Sequence, residues 1–135
     1  MPRMPSPPQQ PALSGKQKLG ATVGTAAAGL MIAMVAMWEG KSNDPYRDIV
    51  GVWTVCYGET RVAMRRYTDA QCEDMLAEGL GGFAGDVLKR NPNLRDQPKI
   101  LAAATSLSYN IGSAAYARST VARRFSAGDY KGGCN

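Results

Sequence analysis

Apolar and polar positions divide the chain into three parts. The first 18 residues show no helical or strand periodicity, and five of the eight prolines fall within the first eleven positions. Because proline fixes φ and lacks an amide donor, residues 1–18 are predicted to be a disordered leader. Residues 19–38 follow as a run of 20 residues without a charged side chain. As one helix this run would be about 30 Å long, which is the length needed to span a bilayer.

The pattern changes after residue 39. Residues 46–57 are rich in β-branched and aromatic side chains around Gly51, which predicts a short hairpin. Apolar side chains then recur at helical spacing through the rest of the chain. Three helices are predicted, and their starts and ends are marked by Thr68, Asn91, Pro98 and Gly128. This order is typical of the α+β class, with a small sheet followed by a helical lobe.

The uncharged run has a weak affinity for lipid. Nine of its twenty residues are bulky and apolar, whereas the others are six alanines, three glycines and two threonines. Arg3, Lys16 and Lys18 precede it without any acidic residue, so the positive-inside rule keeps residues 1–18 in the cytoplasm and places residues 39–135 across the inner membrane. A buried core helix and a cleaved signal peptide are the alternatives. The run is longer than a usual signal-peptide core and lacks a small-x-small cleavage signal at its end, which favours an uncleaved membrane segment.

Composition excludes several classes of protein. The net charge is +5, but residues 39–135 are nearly balanced, which argues against a nucleic-acid partner because such domains carry a strong basic stripe. Histidine is absent, so a histidine metal site and a histidine general base are excluded. The three cysteines allow at most one internal bridge, and Cys56 with Cys72 is one possibility.

Two acidic residues near the start of the body are the candidates for catalysis. Glu39 lies where the apolar run ends, beside Trp38, and a partly buried carboxyl in apolar surroundings can hold a proton near neutral pH. Asp48 lies among polar neighbours that include Arg47 and Lys41, which are expected to keep it ionised. One protonated and one ionised carboxyl are what cleavage of a glycosidic bond requires. Thr54 on the opposing strand offers a hydroxyl that can hold a water against Asp48.

The spacing of these residues resembles the catalytic region of the bacteriophage lysozymes, the endolysins of glycoside hydrolase family 24. The matching pattern is Glu39-Gly40, then Tyr46-x-Asp48-x-x-Gly51-x-x-Thr54-x-x-x-Gly58. A second match, Ala104-x-Ser106-x-x-Tyr109-Asn110-x-Gly112 followed by Ser119-Thr120, is similar to the segment that lines the far side of that family's cleft. The resemblance covers about residues 39–130 and implies a lysozyme-like fold.

The resemblance also implies roles for individual residues. Glu39 would be the general acid, Asp48 the second carboxylate and Thr54 its water-positioning partner in hydrolysis of the β-1,4 bond between N-acetylmuramic acid and N-acetylglucosamine. Peptidoglycan would be the substrate, with no metal or cofactor. Tyr109 and Asn110 are the better candidates for substrate contact, since an amide can donate to and accept from an N-acetyl group. The hairpin aromatics Tyr46, Trp53 and Tyr57 can stack on sugars, with Tyr46 kept as a candidate, although aromatics in a small sheet more often belong to the core.

Within the resemblance, the N-terminal part is similar to signal-anchor-release endolysins, in which a weak anchor tethers an inactive enzyme and later leaves the bilayer. This implies a protein of the inner membrane that is released to the periplasm as a monomer. Family members usually continue some 30 residues further, so residues 39–135 are expected to lack part of the C-terminal lobe. The alternative is a truncated, inactive prophage remnant that acts at most as a membrane-anchored peptidoglycan binder, and a lytic transglycosylase is a third, disfavoured possibility.

Overall fold

The structure is a computed structural model that describes residues 13–134. Within this range a two-stranded sheet is combined with a helical lobe, so the predicted α+β class is confirmed. In chain order the elements are α1 (Gly15–Val23), α2 (Thr25–Glu39), β1 (Ser42–Arg47), β2 (Trp53–Cys56), α3 (Asp69–Arg90), a 3₁₀ helix (Pro92–Asp96), α4 (Pro98–Ile111), α5 (Ser113–Ala117), α6 (Thr120–Ser126) and α7 (Tyr130–Cys134).

Strands β1 and β2 form the predicted antiparallel hairpin. Tyr46 pairs with Thr54 and Arg47 pairs with Trp53, and the register shifts between Ser42 and Tyr46. Gly51 lies in the turn with a φ of +84°, a conformation that side chains with a Cβ rarely adopt. The sequence therefore identified both the hairpin and the glycine that allows its turn.

Helix α3 begins at the capping box that the sequence predicts. The amide of Gln71 donates to the Thr68 hydroxyl over 3.1 Å, and the amide of Thr68 donates to Gln71 Oε1 over 2.9 Å. The helix extends for 22 residues to Arg90 and is capped by Asn91. A disulfide joins Cys56 at the end of β2 to Cys72 in the first turn of α3. Closing a loop of this size is worth about 3 kcal/mol in the chain-entropy model, so the bridge fixes the hairpin to the helical lobe.

In the described structure residues 19–38 do not form the single continuous helix that the sequence predicts. Two helices cover this run, and they meet at Gly24, which has a φ of +87° and donates its amide to the carbonyl of Gly20 over 2.8 Å. Helix α1 also begins earlier than predicted, since residues 15–18 are helical behind a capping box at Ser14. The rest of the predicted leader, residues 1–12, lies outside the described residues. Among the helices of residues 13–134, none combines the length and the apolar character needed to cross a membrane.

Helices α1 and α2 pack into the same core as the rest of the described chain. Helix α1 lies against α3, and α2 lies mainly against α4. The buried side chains of these two helices are Leu19, Val23, Ala27, Ala28, Met31 and Val35. Full burial of a large apolar side chain is worth about 1.5–3 kcal/mol, so this interface contributes substantially to the stability of the fold.

Polar contacts at the start of α1 add to this packing. The backbones of α1 and α3 approach closely at Gly15, where a Cβ would lie 2.2 Å from the carbonyl oxygen of Asp74. The ammonium groups of Lys16 and Lys18 pair with Glu73 and Glu78 of α3. Because these pairs are exposed, each contributes about 0–1 kcal/mol, and apolar burial stabilises the interface more than they do.

A buried polar network joins the end of α3 to α5 and α6. Asn91 is fully buried, and its amide nitrogen donates to the carbonyl of Ala122 and to the hydroxyl of Ser126. The Tyr116 hydroxyl donates to Asn91 Oδ1 over 2.6 Å. Burial raises the pKa of Tyr116 to about 12, although the nearby Arg90 charge opposes the shift. The phenol therefore stays protonated at physiological pH and can serve as this donor.

Candidate functional site

Glu39 is the last residue of α2 and is followed by Gly40, which turns the chain into the hairpin with a φ of +65°. The carboxyl is exposed, so the expectation of a partly buried Glu39 in apolar surroundings is wrong. The reason lies in the preceding residues, since Met37 and Trp38 are 82% and 80% exposed and do not cover the carboxyl. The two residues that precede Glu39 therefore do not shield it from water.

Asp48 follows β1 and organises the hairpin turn. Its Oδ1 atom accepts the amide hydrogens of Val50 and Val52, each over 2.9 Å, and its carbonyl accepts the amide of Gly51 over 2.9 Å. An aspartate that bonds the backbone two residues ahead is a common turn device. The second carboxylate of the candidate pair is thus held in place by backbone amides.

The cations expected to surround Asp48 contact other groups. Lys41 pairs with Asp69 at the start of α3, and this contact raises the pKa of Lys41 and lowers that of Asp69. The guanidinium of Arg47 lies over the Trp53 ring, 5.0 Å from its centroid. Among the described residues Asp48 has no salt-bridge partner, since Lys41 pairs with Asp69 and Arg47 stacks on Trp53 of the same hairpin.

Thr54 lies next to Asp48 through a shared backbone group. Its hydroxyl is part of a buried residue and donates to the carbonyl of Val52 over 3.0 Å. The same carbonyl accepts the amide of Asp48 over 3.0 Å. With its hydrogen engaged in this way, the Thr54 hydroxyl still offers an acceptor position to a water or a substrate hydroxyl.

Tyr109 of α4 connects the far side of the site to Glu39. It is half-buried, and its ring meets Phe83 of α3 edge-on, with 5.3 Å between centroids. Burial raises the pKa of the Tyr109 phenol, and the negative charges of Glu39 and Glu59 raise it further. The phenol is therefore close enough to Glu39 and Glu59 to be influenced by both carboxylates, which come from different elements.

Glu59 is a site residue that sequence reasoning missed. Its amide and carbonyl pair with those of Val55 over 2.8 and 2.9 Å, which folds the chain back immediately after β2. The side chain is half-buried, and burial raises its pKa above the ordinary value. The available signal is Gly58, which adopts a φ of +83° and marks a turn that returns the next residue to the sheet.

Replacing Glu59 with glutamine is expected to change the pH dependence of stability. Because the folded-state pKa of Glu59 is raised, wild type gains stability from its protonation below the unfolded pKa and loses that gain as pH rises through the folded value. Urea unfolding at pH 4 and pH 7 should show the variant becoming relatively more stable at the higher pH. Asp86→Asn, at an exposed carboxyl, is the control. If the free energies of unfolding of wild type and Glu59→Gln differ by the same amount at both pH values, the raised pKa of Glu59 is contradicted.

The aromatic candidates of the hairpin differ in exposure. Tyr57 is buried, as the core interpretation expects, whereas Tyr46 and Trp53 are 42% and 48% exposed. Asn110 is exposed beside Tyr109 near the end of α4. Tyr46 and Asn110 remain predicted substrate contacts.

The last part of the second sequence pattern has a local structural role. The hydroxyl of Ser119 accepts the amide of Ala122 over 3.1 Å and caps α6. In residues 13–134, no group of three or more histidine, cysteine or acidic side chains is placed to hold a metal ion. The candidate site consists of carboxyls, a hydroxyl and a phenol.

Comparisons with known proteins agree on one family. The family model described as "Phage lysozyme" matches residues 36–135. The SAR-endolysins of Enterobacteria phage P21 and Enterobacteria phage PA-2 are 40% and 38% identical to the chain over 102 residues, which is 72% of this chain and 60% of each relative. The endolysin from Escherichia coli O157:H7 phage FAHEc1 has a similar structure, with a TM-score of 0.67 and 29% identity over 78% of this chain and 69% of its own. The chain spans about 60% of the length of the two SAR-endolysins, and the lysozyme-like fold is confirmed.

Proposed function

Because the chain belongs to the phage lysozyme family, we propose that it acts as an endolysin that hydrolyses peptidoglycan between N-acetylmuramic acid and N-acetylglucosamine. The observation that carries the proposal is the linked position of Asp48 and Thr54, which share the carbonyl of Val52 within the matched region. Glu39 would supply the acid, and its charge reaches the Tyr109 phenol, whose pKa it raises. This set contains the acid, the carboxylate and the hydroxyl that glycoside cleavage needs.

In the proposed reaction Glu39 donates a proton to the leaving sugar oxygen. The binding of a glycan over the exposed carboxyl removes water from it, which favours the protonated form that a general acid requires. Asp48 stabilises the positive charge that develops on the sugar or activates the attacking water, and the Thr54 hydroxyl accepts a hydrogen from that water. Tyr46, Tyr109 and Asn110 contact the sugars on either side.

We further propose that residues 19–38 are a releasable membrane anchor, with residues 1–18 cytoplasmic and the body periplasmic. Support comes from the SAR-endolysin relatives and from the 20 uncharged residues. The same side chains that would face lipid, among them Leu19, Met31 and Val35, are buried against α3 and α4 in the described structure. Protein core and bilayer would therefore compete for one apolar surface, and in this proposal the packed arrangement is that of the released monomer.

Release of residues 19–38 from the bilayer would bring Glu39, the proposed general acid, into the site. Glu39 is the last residue of α2, so its position depends on the docking of that helix against α4. While residues 19–38 remain in lipid, Glu39 lies at the membrane surface, away from Tyr109 and the hairpin. Tethering therefore keeps the enzyme inactive, and loss of the membrane potential or of bilayer integrity shifts the population toward the docked state.

The test is incubation of the full chain with purified peptidoglycan, followed by analysis of the fragments. Hydrolysis is expected to give fragments with reducing ends at N-acetylmuramic acid. Anhydro-muramic fragments would identify a lytic transglycosylase instead. Peptidoglycan that is bound but not cleaved would identify an inactive binding protein, which is the alternative that the sequence leaves open.

A further inference from the structure

The tip of the hairpin is an exposed apolar segment whose side chains have no role in the proposed catalysis. Residues 49–53 read Ile-Val-Gly-Val-Trp and contain no charged side chain. Ile49 and Val50 are 104% and 76% exposed, and Val52 and Trp53 are each nearly half exposed. Single exposed apolar residues are common on protein surfaces, but an uninterrupted run at the end of a projecting element marks an interaction surface. We call residues 49–53 the hairpin tip.

Three backbone amides of the hairpin tip have hydrogen-bond partners within the hairpin. The amides of Val50 and Val52 donate to the side chain of Asp48, and the amide of Gly51 donates to its carbonyl, each over 2.9 Å. Unpaired backbone donors are costly in the absence of water. These three donors already have partners within the hairpin. Moving them out of water therefore does not carry the free-energy cost of an unpaired amide.

Arg47, just before the tip, and Trp53, at its end, fit a lipid headgroup region. The Arg47 guanidinium stacks on the Trp53 ring, and both side chains remain partly accessible. Tryptophan and arginine are favoured at the boundary between hydrocarbon and headgroups, where an aromatic body and a positive charge both find partners. The positive charge of Arg47 also favours an anionic surface. Asp48 is the opposing charge, and one of its oxygens is turned into the hairpin by the amides of Val50 and Val52.

We propose that the hairpin tip docks the folded protein onto an anionic phospholipid surface, with Ile49 and Val50 entering the interface. This contact is separate from residues 19–38 and operates after they have packed against α3 and α4. It would hold the released protein at the bilayer surface. The proposed contact does not depend on hydrolysis, since none of its residues needs to act on a glycan.

Trp53 can report on this contact directly. The chain contains two tryptophans, so Trp38→Phe leaves Trp53 as the only fluorescent indole. The full chain is mixed with vesicles of phosphatidylglycerol and phosphatidylethanolamine that carry a shallow spin-labelled lipid. Trp53 fluorescence is expected to be quenched in the starting protein. Ile49→Ser/Val50→Ser should remove the quenching and lower the vesicle partition coefficient by about tenfold or more, since both apolar groups no longer gain from leaving water.

Two further variants separate this contact from general hydrophobic binding. Arg47→Gln should weaken binding to anionic vesicles about fivefold, the loss expected for one interfacial cation, and should have little effect on neutral vesicles. Met37→Ser, at an equally exposed apolar residue at the end of α2, should leave Trp53 quenching unchanged.

Three results would overturn the proposal. The first is unquenched Trp53 in a vesicle-bound protein, and the second is vesicle binding by the Ile49→Ser/Val50→Ser variant that equals that of the starting protein. The third is a starting protein that does not bind vesicles but forms a dimer, with the dimer lost in this variant. The dimer would assign the tip to a second copy of the chain. Peptidoglycan hydrolysis is measured on the same samples, so a failure of the proposed enzymatic function is seen separately from the vesicle result.

Discussion

Replacement of Glu39 with glutamine is expected to lower the rate of peptidoglycan hydrolysis by about 10²–10⁴-fold, the usual contribution of general acid catalysis. The amide keeps the size and polarity of the side chain but cannot donate the proton that the leaving oxygen needs. The free energy of unfolding should change by less than about 0.5 kcal/mol, because Glu39 is exposed. A large loss of activity without a loss of stability identifies a chemical role.

Initial rates on purified peptidoglycan and urea unfolding of the same preparations provide the measurement. Asp86→Asn is the matched control, since it also removes one exposed carboxyl but lies on α3. The control should retain wild-type activity. Wild-type rates in Glu39→Gln would show that another group supplies the proton, and Glu59 beside Tyr109 would then be the next residue to replace.

Substitution of Gly24, Ala27 and Gly29 by leucine is expected to keep the protein in the membrane and prevent lysis. Leucine at Gly24 is strained in the docked state because φ is +87° and ψ is 157°, which costs about 1–3 kcal/mol outside glycine. Ala27 is 1% exposed within the packed helix, so the larger side chain overfills the core by about 1–3 kcal/mol. All three leucines also favour lipid, and a combined shift of about 5.5 kcal/mol is enough to reverse a 99:1 population.

Membrane fractionation and culture turbidity measure this effect. Gly29→Leu alone separates the gain in lipid affinity from the loss of stability in the docked state, because Gly29 is exposed and a Cβ there meets no atom within 4 Å. This single variant gains lipid affinity without disturbing the docked state and should delay lysis only partly. Normal release and lysis by the triple variant would contradict the competition between lipid and protein core.

Local signals were sufficient to predict the hairpin and the start of α3. The hairpin follows from β-branched residues around a glycine that must adopt a positive φ, and the helix follows from the reciprocal hydrogen bonds of Thr68 and Gln71. Each signal depends on residues that are close in the chain. Their contributions do not change with the tertiary surroundings, which explains why the sequence predicts them correctly.

The structure of residues 19–38 depends on surroundings that the sequence does not specify. An uncharged run satisfies a bilayer and a protein core equally well, so its pattern does not reveal that Leu19 and Met31 are buried against other helices. The run contains three glycines, and only Gly24 separates two helices. Which glycine takes this role is set by the directions in which α1 and α2 must extend to reach α3 and α4.

The candidate site was also predicted only in part, since the local spacing of Glu39, Asp48 and Thr54 was readable and the tertiary surroundings of these side chains were not. Lys41 is near Asp48 in the sequence yet pairs with Asp69 across the fold. Glu59 reaches the site only because the chain turns back on Val55 after β2. Charge and burial at the site are therefore tertiary properties that local spacing does not determine.

The specific activity of released and membrane-embedded protein tests most directly whether docking of α2 switches the enzyme on. One preparation is separated into membrane and soluble fractions, and each fraction is assayed on purified peptidoglycan at equal protein amounts. The released fraction is expected to hydrolyse it at least about a hundredfold faster, because embedded protein lacks a placed general acid. Equal activity in the two fractions would show that Glu39 functions without the packing of residues 19–38, and would contradict the proposed switch.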